Sequence, residues 1–334
     1  MKIAVDVMSG ENPPETLIRG ALKAVEESNI EVVLVGDEAT IHKELEQHSQ
    51  ANEKISVVHA SEIIAMDESP AKACRKKKDS SVMVAGALVA KKKADGFFSP
   101  GNTGATLASS LMNIKRVEGV KRPALATILP TVKGYAIILD AGANVDSDPE
   151  HLAQFAIMGE IFMQKILEIP EPRIGLLNIG EEDKKGNELS QKAFEIIKTI
   201  DFNFIGNIEG HDIYEGDVDI IVCDGFIGNI VLKLSEGLGS VVMRLIKNEM
   251  IKNYKYRLGA FMARDALRSV KERFNPATYG GAPLLGINGC ALVGHGNTGE
   301  LATTNAIITT AKMANAKLDK LIKKSISQYS LSTK

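Results

Sequence analysis

Short apolar, β-branched runs alternate with longer stretches of helical periodicity along most of this 334-residue chain. Residues 2–7, 31–35, 55–59, 96–99, 136–139, 174–178, 204–206, 220–223 and 290–293 read as strands. Most are apolar throughout, as strands covered by helices on both faces should be. Between them, residues 14–27, 80–92, 103–114, 149–167 and 187–200 carry apolar side chains at helical spacing. The alternation predicts right-handed βαβ crossovers and an α/β fold: a doubly wound, mainly parallel sheet with helices on both faces. Gly and Pro fall mostly at the joints, and residues 1–334 are expected to form one elaborated α/β unit.

The last third follows a different pattern. From residue 228 to 274 no strand signal occurs. Val241, Val242, Leu245, Ile246, Met250, Ile251 and Tyr254 form one apolar stripe; Leu258, Phe261, Met262, Leu267, Val270 and Phe274 form another. They predict two long amphipathic helices joined near residues 256–259, a hairpin projecting over residues 240–275. Such a hairpin could pack on its own core or a partner subunit, or meet a carrier protein or membrane surface. Residues 300–326 read as one continuous helix.

Charge sharpens this division. The chain has 40 Lys+Arg against 42 Asp+Glu, a net −2, which argues against a nucleic-acid partner, as does the absence of Trp. Residues 241–274 nevertheless hold nine basic residues, among them Arg257, Arg264, Arg268 and Lys271, against Glu249, Asp265 and Glu272. That segment is +6, so the remainder is −8. No apolar run approaches the ~18 residues of a bilayer span. Asp6 interrupts the first apolar run as no signal peptide would, and three cysteines without CxxC spacing fit a reducing cytosol. A cytoplasmic location is expected.

The chemistry gathers in glycine-polar turns. Ser99-Pro100-Gly101-Asn102-Thr103-Gly104-Ala105, Asp140-Ala141-Gly142-Ala143-Asn144-Val145-Asp146, Asn178-Ile179-Gly180-Glu181-Glu182, Asp224-Gly225-Phe226-Ile227-Gly228-Asn229 and Gly294-His295-Gly296-Asn297-Thr298-Gly299 each follow a strand. In a doubly wound sheet they share the carboxyl edge, where ligands bind. Glycine admits close backbone approach and a helix N-terminus offers unpaired N–H groups, so Ser99, Gly101, Asn102, Thr103 and Gly104 form a candidate anion cradle. Any one such turn could equally be a helix cap. Lys77 and Lys185 could add charge for an anion or could simply face solvent, and His295 could touch a ligand or cap the helix below it. Asp6 needs a partner at the sheet edge, and Cys223 reads as core.

Several mechanisms drop out. No Gly-Lys pair supports a Walker loop, no G-x-S-x-G elbow supplies a serine nucleophile, and no HExxH or close Cys/His cluster makes a zinc site. Asp140, Asp146 and Asp148 could hold magnesium, but acidic turn residues more often accept backbone amides. Gly294-x-Gly296-x-x-Gly299 matches the dinucleotide fingerprint, yet no later strand follows to carry the ribose-binding acid. No metal and no cofactor are expected.

Taken in order, the motifs Leu34-Val-Gly-Asp37, Arg75-Lys-Lys-Lys-Asp-Ser-Ser81, Gly101-Asn-Thr-Gly-Ala105, Leu139-Asp-Ala-Gly-Ala-Asn-Val-Asp146, Lys185-Gly-Asn-Glu-Leu189, Cys223-Asp-Gly-Phe226 and Tyr279-Gly-Gly-Ala-Pro-Leu284 resemble those of a known family. It is the bacterial phosphate acyltransferase family of phospholipid synthesis, and the resemblance runs end to end. Three positions depart from its usual pattern: Met8-Ser9-Gly10-Glu11, Pro100 and Asn297-Thr298-Gly299. The resemblance implies a fold like phosphotransacetylase or isocitrate/isopropylmalate dehydrogenase. It implies acyl transfer from acyl-[acyl carrier protein] to inorganic phosphate. It further implies a homodimer that hands acyl phosphate to a membrane glycerol-3-phosphate acyltransferase, while the +6 charge of the projection suits peripheral docking to an acidic carrier protein or an anionic membrane. The expected site comprises His295 and Asn102 as catalytic groups. Ser99, Gly101, Thr103, Gly104, Asp140, Asn144, Asn178, Lys185, Asn187, Asp224, Asn229 and Lys77 would bind substrate. Arg257, Arg264, Arg268 and Lys271 would meet the carrier or membrane.

Overall fold

The computed structural model, which describes residues 1–48, 53–273 and 275–332, divides the strands between two sheets. The chain opens with β1 (Lys2–Asp6), α1 (Pro14–Glu27), β2 (Glu31–Gly36), α2 (Glu38–Leu45) and β3 (Ile55–His59). Next come α3 (Pro70–Lys76), α4 (Ser81–Ala90), β4 (Gly96–Ser99) and α5 (Thr103–Ser109), which runs into a π-helical turn at Ser110–Ile114. The middle holds β5 (Ala124–Leu125), β6 (Thr127–Thr131), β7 (Gly134–Leu139), α6 (Pro149–Lys165), β8 (Ile174–Leu177), α7 (Glu188–Ile197), β9 (Phe204–Ile208) and β10 (Ile220–Val222). It closes with α8 (Gly225–Met250), α9 (Tyr254–Met262), α10 (Arg264–Arg273), β11 (Ala282–Leu285), β12 (Cys290–Val293), α11 (Glu300–Asn315) and α12 (Leu318–Ser332).

One sheet has the order β3-β2-β1-β4-β12-β11-β5 and the other β6-β7-β10-β8-β9. The pairings from β3 through β12 are parallel, as are those among β7, β10, β8 and β9. The α/β class and the parallel pairing therefore stand, but the single sheet becomes two. The segment that separates them is one extended stretch: Leu125 pairs with Leu284 of β11, and Thr127 two residues later pairs with Ile138 of β7. Both β5 and β11 are too short to show a period, which is why the pattern alone merges the sheets.

Both faces of the first sheet are covered, as its apolar strands require. Ile3, Val5, Leu17, Ile18 and Ile307 share one buried cluster with α1 and α11; Ala4, Val33 and Phe97 share another with Val82 and Ala85 of α4 and Ala105 of α5. In the second sheet, α6 buries Leu152, Phe155 and Phe162 in the same cluster as Ile137, Leu139 and Ile220.

The helical projection differs from the pattern's expectation. It is three helices, and the break falls at residues 251–253 rather than 256–259, because Asn253 caps α9 by accepting the Tyr256 amide at 2.9 Å. The helix expected over 300–326 also breaks, with Lys317 in a left-handed conformation at φ +52. Most consequential is α8. Lys233 and Glu236 interrupt its apolar run in the sequence, but its 18-residue average hydropathy reaches 1.3, and by length and composition it could cross a membrane. Only 6% of that window is buried.

Candidate active site

The turns after β1, β4 and β12 lie side by side at the carboxyl edge of the first sheet. Glu11 N donates to the Gly296 carbonyl at 2.7 Å and Asn12 Nδ2 to the Thr298 carbonyl at 2.8 Å. A side chain on Gly101 would meet Ser9 Cβ at 2.6 Å, so this approach requires glycine. Beneath them is Asp6, fully buried, whose carboxylate accepts Ser99 Oγ at 2.8 Å and the Met8 and Ser9 amides at 3.2 Å each. The sheet-edge partner that Asp6 needed is thus Ser99.

The second sheet builds its edge around another buried carboxylate. Asp140 accepts amides from Leu125 at 2.9 Å, Gly142 at 3.3 Å, Ala143 at 3.1 Å and Asn144 at 2.7 Å, and Asn144 Nδ2 at 2.9 Å. Burial pushes its pKa above the ordinary carboxylate value, although these donors oppose the shift. The carboxylate organises the turn and has little capacity left for a metal. Among the described residues no cluster of three metal-ligating side chains occurs. Gly225 N donates to the Asn144 carbonyl at 2.9 Å, and Gly228 packs directly on the Asp140 carbonyl, so α8 starts hard against this turn.

The two edges meet along α8. Three turns above its Asp224 cap, Glu236 Oε1 lies 3.1 Å from His295 Nε2 in the turn after β12. Lys233 supports the carboxylate at 2.9 Å, and together these two partners hold Glu236 below its usual pKa despite desolvation. His295 thus stands at the seam of the two halves, half exposed.

Other expected site residues prove to be committed to local structure. Asn102 Oδ1 caps α5 at the Ala105 amide (3.1 Å), while its Nδ2 donates to the Met66 carbonyl at 2.9 Å and the Glu68 carbonyl at 3.2 Å. Its side chain has no free end, so the expected catalytic contact reduces to shaping the turn; Thr103 beside it is exposed. Asn187 caps α7 at the Ser190 amide and Asp224 caps α8 at the Ile227 amide, both at 2.9 Å. Asn144 Nδ2 is spent on Asp140 and on the Pro123 carbonyl at 2.7 Å. Lys77, expected to add charge for an anion or to face solvent, pairs with Glu68 and donates to the Ile63 carbonyl at 2.7 Å. Lys185 keeps only a loose 3.8 Å contact to Glu182, and its carbonyl and Asn207 Oδ1 hold Asn178. Asn229 is exposed beside Gly142. Cys223 is buried with its pKa pushed well up by desolvation, as a core thiol should be.

On the projection, Arg257 Nε donates to the Ile251 carbonyl at 3.2 Å, Arg264 lies 3.8 Å from Asp265, and Arg268 pairs with Glu272 at 2.9 Å. These contacts are exposed and leave the surface basic. Phe274 and the side chain of Lys271 lie outside the described residues. Glu236 was not singled out by the sequence, and Ser9 only as a departure from the family's usual pattern; the fold brings them to His295 and Gly101.

Comparison with known proteins bears on this arrangement. The family model described as "Fatty acid synthesis protein" matches residues 1–321. The chain is 46% identical over 332 residues to the phosphate acyltransferase of Leptospira biflexa, covering 98% of both, and 47% identical over 308 residues to that of Heliobacterium modesticaldum, covering 92% of both. The chain belongs to the phosphate acyltransferase family. Among solved structures, a phosphotransacetylase from Streptococcus pyogenes superposes with a TM-score of 0.64 at 20% identity, covering 95% of this chain and 94% of that one. A branched-chain phosphotransacylase from Enterococcus faecalis gives 0.55 at 14%, covering 93% and 99%. These two place the family's fold in the α/β class. The family membership also explains why the turns, the least regular parts of the chain, carry the most distinctive motifs.

Proposed function

We propose that this protein transfers a long-chain acyl group from acyl-[acyl carrier protein] to inorganic phosphate, releasing acyl phosphate and free carrier. The observation that carries this reading is the end-to-end identity with phosphate acyltransferases. The chemistry agrees. Phosphate near neutral pH is already an oxygen nucleophile, and a thiol with pKa about 8.5 is a good leaving group. Catalysis then rests on holding phosphate against the thioester and stabilising the oxyanion with backbone amides. Thr103 and Gly104 at the start of α5 offer such amides, Gly101 giving them room while its own amide donates to Ser99 Oγ at 3.3 Å, with Lys185, Asn178 and Asn229 on the facing edge and His295 between them. Ser99 and Asn102 shape the turn on the first edge; Asp140, Asn144, Asn187 and Asp224 shape those on the second.

Two surface roles belong to the same reading. Leu234, Leu238, Val241 and Leu245 lie exposed on α8 at alternating spacings of four and three, the seam along which a second copy packs to make a homodimer. Beyond it, exposed Tyr254, Leu258, Phe261 and Met262 adjoin Arg257, Arg264 and Arg268, a pairing of apolar and basic groups suited to an anionic membrane surface or an acidic carrier. The contact is peripheral rather than spanning, because the first three turns of α8 are bonded to the body at Gly225, Ser235 and Glu236. There the acyl phosphate would pass to a membrane glycerol-3-phosphate acyltransferase, from a cytoplasmic enzyme.

The test combines purified protein, acyl-loaded carrier and phosphate, with hydroxylamine trapping the product. Acyl hydroxamate is expected, and its absence would leave a noncatalytic carrier scaffold. A short acyl-CoA serving as the better donor would instead indicate a phosphotransacetylase-type activity. His295→Ala should cut kcat/KM for phosphate; if it and a Gly104→Ala variant both left it unchanged, the site is misplaced.

A further inference from the structure

We infer that Glu236 is a positioning residue that makes His295 the proton carrier of the transfer, an inference that rests on the function proposed above. The carboxylate oxygen lies 3.1 Å from Nε2, so the imidazole donates Nε2–H to it. The lone pair is then left on Nδ1, which has no partner among the described residues. A carboxylate that accepts one ring nitrogen and leaves the other basic is the arrangement by which a histidine moves protons. Among the described residues the charged groups around the pair are Lys233, 2.9 Å from Glu236 one turn back on α8, and Glu11, which packs on Gly296 from the turn after β1. The turn itself is braced, since the Thr298 amide and hydroxyl both donate to the His295 carbonyl and the Gly296 carbonyl accepts Glu11 N. Both elements of the pair are therefore held from behind, and only the imidazole edge carrying Nδ1 is uncommitted.

The step balances without any further reactant. An unprotonated oxygen of hydrogen phosphate attacks the thioester carbonyl carbon, and the carbon–sulfur bond breaks with its electron pair going to sulfur. Nδ1 takes the remaining phosphate proton and passes it to the thiolate. The products are the acyl phosphate dianion and a neutral thiol, and His295 returns to its starting form. Glu236 stabilises the transient imidazolium and prevents the alternative tautomer, in which the proton would sit on Nδ1 and the relay would be blocked.

The experiment measures Glu236→Gln, Glu236→Ala and the Glu236→Ala/His295→Ala double variant beside His295→Ala, using acyl-loaded carrier, phosphate and hydroxylamine trapping across pH. Glu236→Ala is expected to lower kcat about tenfold with KM for phosphate within about twofold. Glu236→Gln should lower kcat similarly, and the double variant should be no slower than His295→Ala alone. Nitrogen-15 NMR of the wild-type imidazole should show Nε2 protonated and Nδ1 bare. Wild-type kcat in both Glu236 variants, or a proton on Nδ1, overturns the inference while an impaired His295→Ala leaves the proposed function intact. No acyl phosphate from the wild type sinks the proposed function itself.

Discussion

Removing the Asp140 carboxylate tests whether it is an architectural acceptor rather than a ligand for substrate or metal. In Asp140→Ala, the Leu125 amide loses its acceptor in a buried setting, which costs about 1–3 kcal/mol. The Gly142, Ala143 and Asn144 amides are part-buried and can turn partly to water, adding about 0.5–1 kcal/mol each. Against this stands the desolvation no longer imposed on a buried charge. The net is a loss of about 3 kcal/mol, or roughly 4 °C in Tm for a chain of this size. Asp140→Asn keeps one acceptor oxygen and should fall between. The pH dependence has a definite sign. Burial raises the folded pKa of Asp140, so its contribution is fullest below the ordinary carboxylate value and is lost as pH rises through the folded one. The stability gap between wild type and Asp140→Asn should therefore narrow with rising pH just above the carboxylate range. Differential scanning calorimetry and urea titration provide the measurement. A Tm within about 1 °C of wild type for Asp140→Ala would refute the acceptor network. A gap that widens with pH would instead refute the raised pKa of Asp140.

Three further perturbations address other parts of the molecule. Gly228→Ala would drive a methyl group into the Asp140 carbonyl and lift the start of α8, costing about 1–3 kcal/mol and lowering acyl phosphate formation; unchanged melting would show the helix can slide. Burial holds His151 below its ordinary pKa while its Nδ1 accepts the Asp148 amide at 2.9 Å, so stability is whole above that ordinary value and declines as pH falls through it. His151→Gln should flatten the urea midpoint between about pH 7.5 and pH 5. Arg264→Glu with Arg268→Glu should weaken binding to anionic vesicles or raise KM for the carrier, more at low salt; no change in either would make that face a solvated surface only.

What the sequence disclosed depended on the length and regularity of each element. The apolar strands at Lys2–Asp6, Glu31–Gly36 and Gly96–Ser99 and the striped helix Pro14–Glu27 are legible because each buries several consecutive or periodic positions. The two-sheet division was not, since it turns on Ala124–Leu125, which has no period to read, and on Ala282–Leu285, whose pairing is long-range. The site shows the same contrast at the level of single residues. Glycine and asparagine announce a turn, but the same asparagine that could grip phosphate is also a good N-cap, and Asn102 and Asn187 took the cap because a helix starting there leaves amides that nothing else satisfies. Asp140 follows that logic with four amides instead of one. His295 is the reverse case. Its ring makes no bond within its own turn, and its partner Glu236 stands 59 positions away on a helix whose other exposed residues are mostly apolar. A carboxylate set among Leu234, Leu238 and Val241 would be out of place on a surface meant only for packing; its contact with His295 accounts for it and ties the helix that projects from the body to the turn where the two sheets meet.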